Sequence, residues 1–429
     1  MPQSWGRYPS VQHEALVGVR DRAAPLPAFA GSALPYGNGR SYGDSCLNPG
    51  GALLLARGLD RYIALDAERG VLQCEAGVSL EEIQRLVVPR GWCLPVMPGT
   101  LQVTVGGAIA NDVHGKNHAR MGSFGDHVLE LELLRSDGSR RTCGPGADPD
   151  WFRATVGGLG LTGLVTHATL QLRPIPGARL DACVQRFAGL GDFFRLDREH
   201  AGREYRVAWV DSLARGRALG RGVFLAADHA PGDAEPSPRP LSMPFTPPVS
   251  LVNAASLRAF NQLYYRRAPR APERRELSLR AFFQPLDRIA HWNRMYGPRG
   301  FLQHQCVVPP EHAEAAVAEM LDRIAASGMG SFLTVLKQFG PRQAPGMLSF
   351  CRPGTTLAMD FPFRGPRTLS LLDQLDRVVV EAGGAIYPAK DARMSAATFA
   401  ASFPLLDRFD AYRDPRFSSG LWRRLRGGA

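Results

Sequence analysis

The sequence predicts an α+β protein of two domains. At 429 residues the chain is longer than one hydrophobic core ordinarily serves. Short alternating apolar runs of strand character are interspersed with amphipathic helical stretches, without a regular strand–helix repeat. The composition also shifts after Arg173-Pro174, where a glycine-punctuated first block ends.

The totals narrow the class. Apolar residues make up 45% of the chain, but no run of about 18 of them exists, so a spanning helix is not expected. Seven dispersed cysteines without a Cys-x-x-Cys pair read as reduced thiols, not a disulfide frame or a zinc site. No metal centre is expected from His114 and His118, which have no carboxylate or thiol partner nearby. The opening residues carry no basic-then-apolar leader pattern. The expectation is a cytoplasmic protein, with a peripheral seat on the inner membrane left open and no role in binding nucleic acid. The net charge is +11, and of 51 Lys and Arg residues only Lys116, Lys337 and Lys390 are lysines, leaving 51 − 3 = 48 arginines. Lysine offers a compact ammonium whose pKa moves on burial, which guanidinium does not, so these three positions stand out.

Taken in order, residues 11–30 read as a weakly helical piece ending in Pro25-Leu26-Pro27. The loop Gly37-Asn38-Gly39-Arg40-Ser41-Tyr42-Gly43-Asp44 follows, with glycines and small polar residues suited to wrapping a pyrophosphate. Strands are expected over 52–55, 62–65 and 70–77, then a helix capped by Ser79 with Glu81 and Glu82 in its first turn. The stretch Pro98-Gly99-Thr100 to His118 organises the chain. A β-branched run breaks at Gly106-Gly107, and a helical turn carries on to His114-Gly115-Lys116-Asn117. Paired glycines let bare backbone N–H groups approach a ligand, so this reads as a cradle for a phosphate-bearing cofactor.

Residues 128–134 alternate as a strand and Ser136-Asp137-Gly138-Ser139 turns a hairpin. Gly158-Leu159-Gly160-Leu161-Thr162-Gly163 matches the dinucleotide fingerprint, but a capped helix precedes it and a strand, 164–172, follows. That order is the reverse of what the fingerprint requires, so it is read as a tight helix-to-strand turn facing a cofactor.

In the second block, residues 205–211 read as a strand. Residues 230–248, with seven prolines, read as a lid, a linker or a disordered segment. Residues 301–308 alternate as a strand with Gln303 and Gln305 on one face, either as ligand contacts or as a plain polar face. A helix over 311–327, strands over 331–337 and 357–362, and a helix over 369–381 follow. Ala385 to Arg393 then presents Tyr387 and Lys390 together. Tyr387 is read either as a site residue or as packing, and Trp209 and Trp292 as core or domain-interface residues.

These motifs carry a resemblance. Gly39-Arg40-Ser41-Tyr42-Gly43-Asp44, Pro98-Gly99-Thr100 through Gly106-Gly107, His114-Gly115-Lys116-Asn117-His118, Gly122-Ser123-Phe124-Gly125, Leu336-Lys337 with Phe339-Gly340, and Ala389-Lys390-Asp391 occur in the order seen in the decaprenylphosphoryl-β-D-ribose oxidases. That family belongs to the vanillyl-alcohol-oxidase, or PCMH-type, FAD flavoproteins. The resemblance implies a FAD domain from residues 1–175, an inserted substrate (cap) domain on an antiparallel sheet from 176–384, and a segment, 385–429, returning to the FAD domain. It implies FAD contacts from Gly37 to Asp44, from Gly99, Thr104, Gly106, Gly107 and Asn111, and from His114, Val165 and Tyr387 near the flavin ring. Arg40 stands where many relatives carry the histidine that attaches FAD, so non-covalent FAD is expected.

The activity implied is oxidation of a sugar hydroxyl to a ketone with hydride passing to the flavin, on C2′ of a polyprenyl-phosphate-linked pentose. A separate short-chain reductase would complete an epimerisation. Lys390 and His114 are the implied catalytic residues. Lys116, Lys337, Gln303, Gln305 and Tyr387 are the implied substrate contacts. The sequence departs from its mycobacterial relatives at Ala358, where they carry a cysteine, and at Phe283, where a pocket tyrosine is expected. Two other readings stand beside this one: an aldonolactone or alditol oxidase acting on a small soluble sugar, and a flavin-binding protein without turnover.

Overall fold

The computed structural model describes residues 2–233, 241–283 and 289–427. Pro236, Pro238 and Pro240, central to the proline-rich segment, lie outside the described residues.

Three sheets organise the chain. The first is parallel: Ala52–Leu55 lies between Ala15–Gly18 and Ala33–Tyr36. The strand Ala15–Gly18 corrects the helical expectation for 11–30. Four residues are too few to reveal a strand by periodicity, and this one exists because Ala52–Leu55 supplies its hydrogen bonds. The second sheet is antiparallel, in the order Tyr62–Asp66, Val71–Glu75, Leu164–Gln171, Val128–Leu134, Arg140–Cys143. Its apolar face packs on the helix Leu80–Val87. Ser79 caps that helix in a full capping box with Glu82, fixing where it starts. Between the helix Pro149–Thr155 and the strand Leu164–Gln171 lies the Gly158–Gly163 turn, in helix-to-strand order.

The third sheet has eight antiparallel strands drawn from residues 179–386. Their order is Glu273–Ser278, Arg179–Phe187, Gly222–Ala230, Tyr205–Val210, Thr334–Phe339, Gly354–Pro362, Phe301–Val308, Ala385–Ile386. One face is covered by the helices Ala313–Ser327 and Pro366–Glu381, whose Met320, Ile324, Leu375 and Val379 meet Cys306, Leu357 and Met359 in the main core. The opposite face is the one that matters for function. Side chains alternate along a strand, so Gln303, Gln305, Val335, Lys337, Thr356, Ala358 and Asp360 share it, set by the pairings Gln303↔Asp360, Gln305↔Ala358 and Lys337↔Thr356.

After this sheet the chain returns toward its beginning. Phe417 bridges to Ala33, and Trp422 and Leu425 join the core that holds Leu34 and Leu53. Arg424 donates to both Asp44 oxygens, at 2.9 and 3.0 Å, and to Asp391 at 2.9 Å. One guanidinium thus clamps the early loop to the loop carrying Lys390.

Candidate active site

Two backbone loops close against the open face of the large sheet and enclose a cavity of about 950 Å³. The loops are tied to one another. Asn38 Nδ2 donates to the Gln102 carbonyl at 2.9 Å, and Gly37 passes so close to Thr104 that a Cβ would stand 2.4 Å from its Oγ1. Gly39 has φ of +59°, and a side chain there would lie 2.6 Å from the Gln3 carbonyl, so only glycine fits. Gly99 differs: a Cβ would meet nothing within 4 Å, so its backbone faces open cavity. The glycine pair does not precede the helical turn but forms its start. The helix is Val105–Ala110, capped by Thr104 Oγ1, which accepts from the Gly107 N–H at 3.3 Å. Asn111 returns a bond to the Gly107 carbonyl at 2.8 Å.

The backbone wall therefore holds Gly37, Asn38, Gly39, Arg40, Ser41, Tyr42, Gly99, Thr104, Gly106, Gly107 and Asn111, with Val165 and the Leu159-Gly160 turn beyond them. Gly43 and Asp44, expected in the same group, do not line the cavity. Gly43 packs on the Asp391 carbonyl, where a Cβ would clash at 1.8 Å, and Asp44 is buried as the partner of Arg424. Contrary to the expectation of bare amides, the N–H groups of Gly106 and Gly107 are bonded to the Ala76 carbonyl and Thr104 Oγ1. What the glycines provide is a long trough in which an extended dinucleotide such as FAD can approach the backbone closely.

The facing wall is made of side chains, and all three lysines of the chain point into this one cavity. Lys337 is buried, while Lys116 and Lys390 keep part of their surface open to the cavity. Lys337 Nζ lies 2.8 Å from His114 Nδ1 and donates to the Gly115 carbonyl at 2.7 Å. His114 Nε2 lies 2.9 Å from Gln305 Nε2, and Gln305 Nε2 also reaches Thr356 Oγ1 at 3.2 Å. Burial, then the neighbouring Lys337, holds the His114 pKa well below its ordinary value, so the imidazole is neutral. Burial brings Lys337 to about 7.

Two proton arrangements satisfy this chain. A charged Lys337 donates to Nδ1, leaving the hydrogen on Nε2 and calling for the Gln305 oxygen. A neutral Lys337 accepts from Nδ1–H, and Nε2 then accepts from the Gln305 amide nitrogen. The orientation of the Gln305 amide is thus linked to the tautomer of His114.

Lys390 stands 3.8 Å from the centre of the Tyr42 ring, just after Tyr387, whose hydroxyl donates to the Asn111 carbonyl at 2.8 Å. Tyr387 stacks on Phe350 at 4.6 Å, and His114 packs against both rings, so Tyr387 joins packing and site. Lys116 bonds the Phe282 carbonyl and lies 4.4 Å from that ring's centre, and burial lowers it to about 7.

Several residues take places the sequence did not suggest. Asp360 was missed as a site residue. It is 1% exposed, accepts from Gln303 Nε2 across the strand pair, and has its other oxygen without a partner, as has the Gln303 oxygen. Burial raises the Asp360 pKa, against the pull of Gln303 and Lys390, while burial lowers Lys390, against the pull of Asp360. A lone carboxylate in an otherwise apolar strand is the signal that could have found it. Trp209 and Trp292, expected in the core or an interface, are buried in two hydrophobic clusters and also line the cavity. His118, expected at the surface or behind the site, is buried behind it: its Nδ1 accepts from the Gly340 N–H at 3.3 Å and its ring lies 4.2 Å from Phe339.

Comparison with known proteins decides the family. A family model described as FAD binding domain matches residues 29–144, the segment that contains both backbone loops. The decaprenylphosphoryl-beta-D-ribose oxidase of Mycolicibacterium smegmatis is 39% identical over 91% of this chain and 88% of its own length. The chain belongs to the decaprenylphosphoryl-β-D-ribose oxidase family of PCMH-type flavoproteins. The chain is also similar to an uncharacterized protein of Streptomyces coelicolor from the mprA 5′ region. It is 37% identical over 81% of this chain and the whole of its own length. An alditol oxidase of a Streptomyces species is 32% identical over 29% of this chain and 30% of its own length, a match confined to one part. As in the rest of this family, the cofactor is FAD and the chain is a FAD-linked oxidoreductase acting on CH–OH groups.

Proposed function

We propose that this protein oxidises the C2′ hydroxyl of a polyprenyl-phosphate-linked pentose to a ketone. The observation that carries this reading is the two-part cavity. One part gathers Lys337, Lys390, His114, Gln303, Gln305 and Asp360. Another is walled by Trp209, Leu225, Leu277, Phe282, Phe283 and Val335, with Lys116 over the Phe282 ring. A small free sugar makes use of the first part only, whereas a sugar phosphate carrying a prenyl chain makes use of both. Bound FAD supplies the hydride acceptor.

The chain's own residues do the rest. Lys390, held by Tyr42 and set opposite Asp360, supplies positive charge where negative charge develops on reduction, and a dry cavity strengthens that effect. Lys116 and Lys337 supply cationic donors to the sugar phosphate. Gln303 and Gln305 bind sugar hydroxyls, and neutral His114 orients the reacting hydroxyl. It can take the hydroxyl proton at Nε2 when its own hydrogen sits on Nδ1, the arrangement in which Lys337 is neutral. The cofactor is held without a covalent link, because Arg40, which lies over the Trp5 ring at 4.5 Å, replaces the attaching histidine. The ketone would pass to a separate short-chain reductase.

Mixing the purified enzyme without oxygen with candidate substrates tests the reading. The flavin absorbance should bleach with polyprenyl-phosphoryl ribose and persist with aldonolactones and alditols. Faster bleaching by the free sugars would replace this reading with that of a soluble-sugar oxidase. Acid precipitation should leave the yellow colour in the supernatant; a yellow pellet would overturn the non-covalent assignment.

A further inference from the structure

Among the described residues, twelve large hydrophobic side chains are exposed, and seven of them fall between residues 241 and 264. Leu241, Phe245 and Val249 are 75%, 63% and 68% exposed, and Leu251, Phe260 and Leu263 follow, with Tyr264 at the inner edge. Isolated exposed apolar residues are ordinary, but seven within 24 consecutive positions are not. The helix Ala254–Arg267 shows the arrangement. Leu257 and Asn261 are buried, Asn261 donating to Asp211 at 2.7 Å, while Phe260, Leu263 and Arg267 recur at the spacing of one outward face.

The charge around this patch is one-sided. Residues 241–270 contain no aspartate or glutamate and four arginines, at 258, 266, 267 and 270. All four are exposed, and no ion-pair partner is seen for them among the described residues. Elsewhere the protein's arginines are commonly paired, as Arg274 is with Asp181 and Arg195 with Glu199. A segment that is apolar, carries unpaired guanidiniums and has no carboxylate of its own complements a lipid interface carrying anionic headgroups; the nearby Glu273 is already paired with Arg275. A protein partner with a dry, neutral interface would make no use of the arginines.

The patch is also continuous with the cavity. Phe260 stacks on Tyr264 at 5.8 Å, and Tyr264 meets the edge of Trp209 at 4.7 Å. Tyr264 and Trp209 both line the apolar part of the cavity. An aromatic track therefore runs from the exposed patch inward.

We propose that residues 241–267 form the seat by which this protein docks on an anionic phospholipid bilayer, with the apolar part of its cavity opening toward the membrane. The purpose of the seat rests on the lipid-linked substrate reading, but docking itself requires no sugar. In this arrangement Phe260, Leu263 and the residues preceding them enter the interface, the arginines meet lipid phosphates, and the prenyl chain moves between bilayer and cavity along Tyr264 and Trp209.

The test is co-sedimentation of the FAD-loaded protein with vesicles of phosphatidylcholine containing about one-third phosphatidylglycerol. The comparisons are vesicles of phosphatidylcholine alone and a variant carrying F260S, L263S, R266S and R267S. None of these four residues lines the cavity, so flavin content, the visible spectrum and turnover of a detergent-dispersed substrate should match the unmodified protein. Binding to the anionic vesicles should fall at least about tenfold in the variant and on phosphatidylcholine alone, and should weaken with added salt. Absence of sedimentation, equal binding to both vesicle types, or undiminished binding by the variant would overturn the proposal. So would a dimer in sedimentation velocity that the same substitutions dissociate, since the patch would then be covered by a second copy. A protein that docks on vesicles yet oxidises no lipid-linked sugar would refute the substrate reading alone.

Discussion

The two walls of the cavity are built on opposite principles. The wall from residues 37–42 and 98–111 presents backbone, with side chains removed by glycine or turned into caps such as Thr104. The wall from the large sheet presents side chains placed by strand register, with Gln303, Gln305, Lys337, Thr356 and Asp360 on one face. A backbone wall recognises what all dinucleotides share. A side-chain wall recognises one substrate and stabilises one charge distribution. Binding of the cofactor and specificity of the reaction therefore reside in different parts of the chain and should fail separately.

The largest expected effect comes from filling the backbone wall. In Gly39→Val the new side chain collides with the Gln3 carbonyl at a backbone angle valine rarely adopts. The protein should therefore purify with less than about a tenth of its flavin, read by visible absorbance. Gly99→Val sharpens the point. Its Cβ meets no protein atom within 4 Å, so the melting temperature of the flavin-free protein should be nearly unchanged while flavin affinity drops. Retained flavin in both variants would dissolve the distinction between the walls.

Next in size is Lys390→Ala. The flavin should remain, and the rate of its reduction by substrate should fall by about 10²–10³-fold, as expected for removing one preorganised electrostatic group. Unchanged reduction would remove Lys390 from the chemistry.

The smallest expected effect is from Asp360→Asn. Burial lowers the Lys390 pKa and the Asp360 charge draws it back up. Without that charge the ammonium deprotonates at lower pH, so the alkaline limb of the rate profile should move toward acid. The loss near pH 8 should be about threefold to tenfold, with little change at pH 6. A uniform loss at all pH values would mark Asp360 as merely structural.

The same contrast explains what could be read in the sequence. The backbone wall was legible because its signals are local: glycines spaced within a dozen residues and a break in periodicity. Gly43 and Asp44 were misassigned for the same reason. They continue the motif, but the chain has turned by then, and their partners, Asp391 and Arg424, lie more than 340 residues away. The lysines of the other wall were found through rarity, since an arginine-rich chain singles out its three exceptions. Asp360 had no such mark. Its meaning depends on standing opposite Gln303, a register that only the assembled sheet defines. The strand Ala15–Gly18 escaped notice because its hydrogen-bond partner is remote. The tryptophans read as core and are core, but bulk alone does not reveal that they also line the cavity.

The Arg424 clamp has a consequence for biosynthesis. During translation the glycine loops emerge early, but the guanidinium that fastens Asp44 to Asp391 emerges only after nearly all of the polypeptide has left the ribosome. Lasting capture of the yellow prosthetic group is therefore a late event, and nascent chains arrested before residue 424 would be expected to remain colourless.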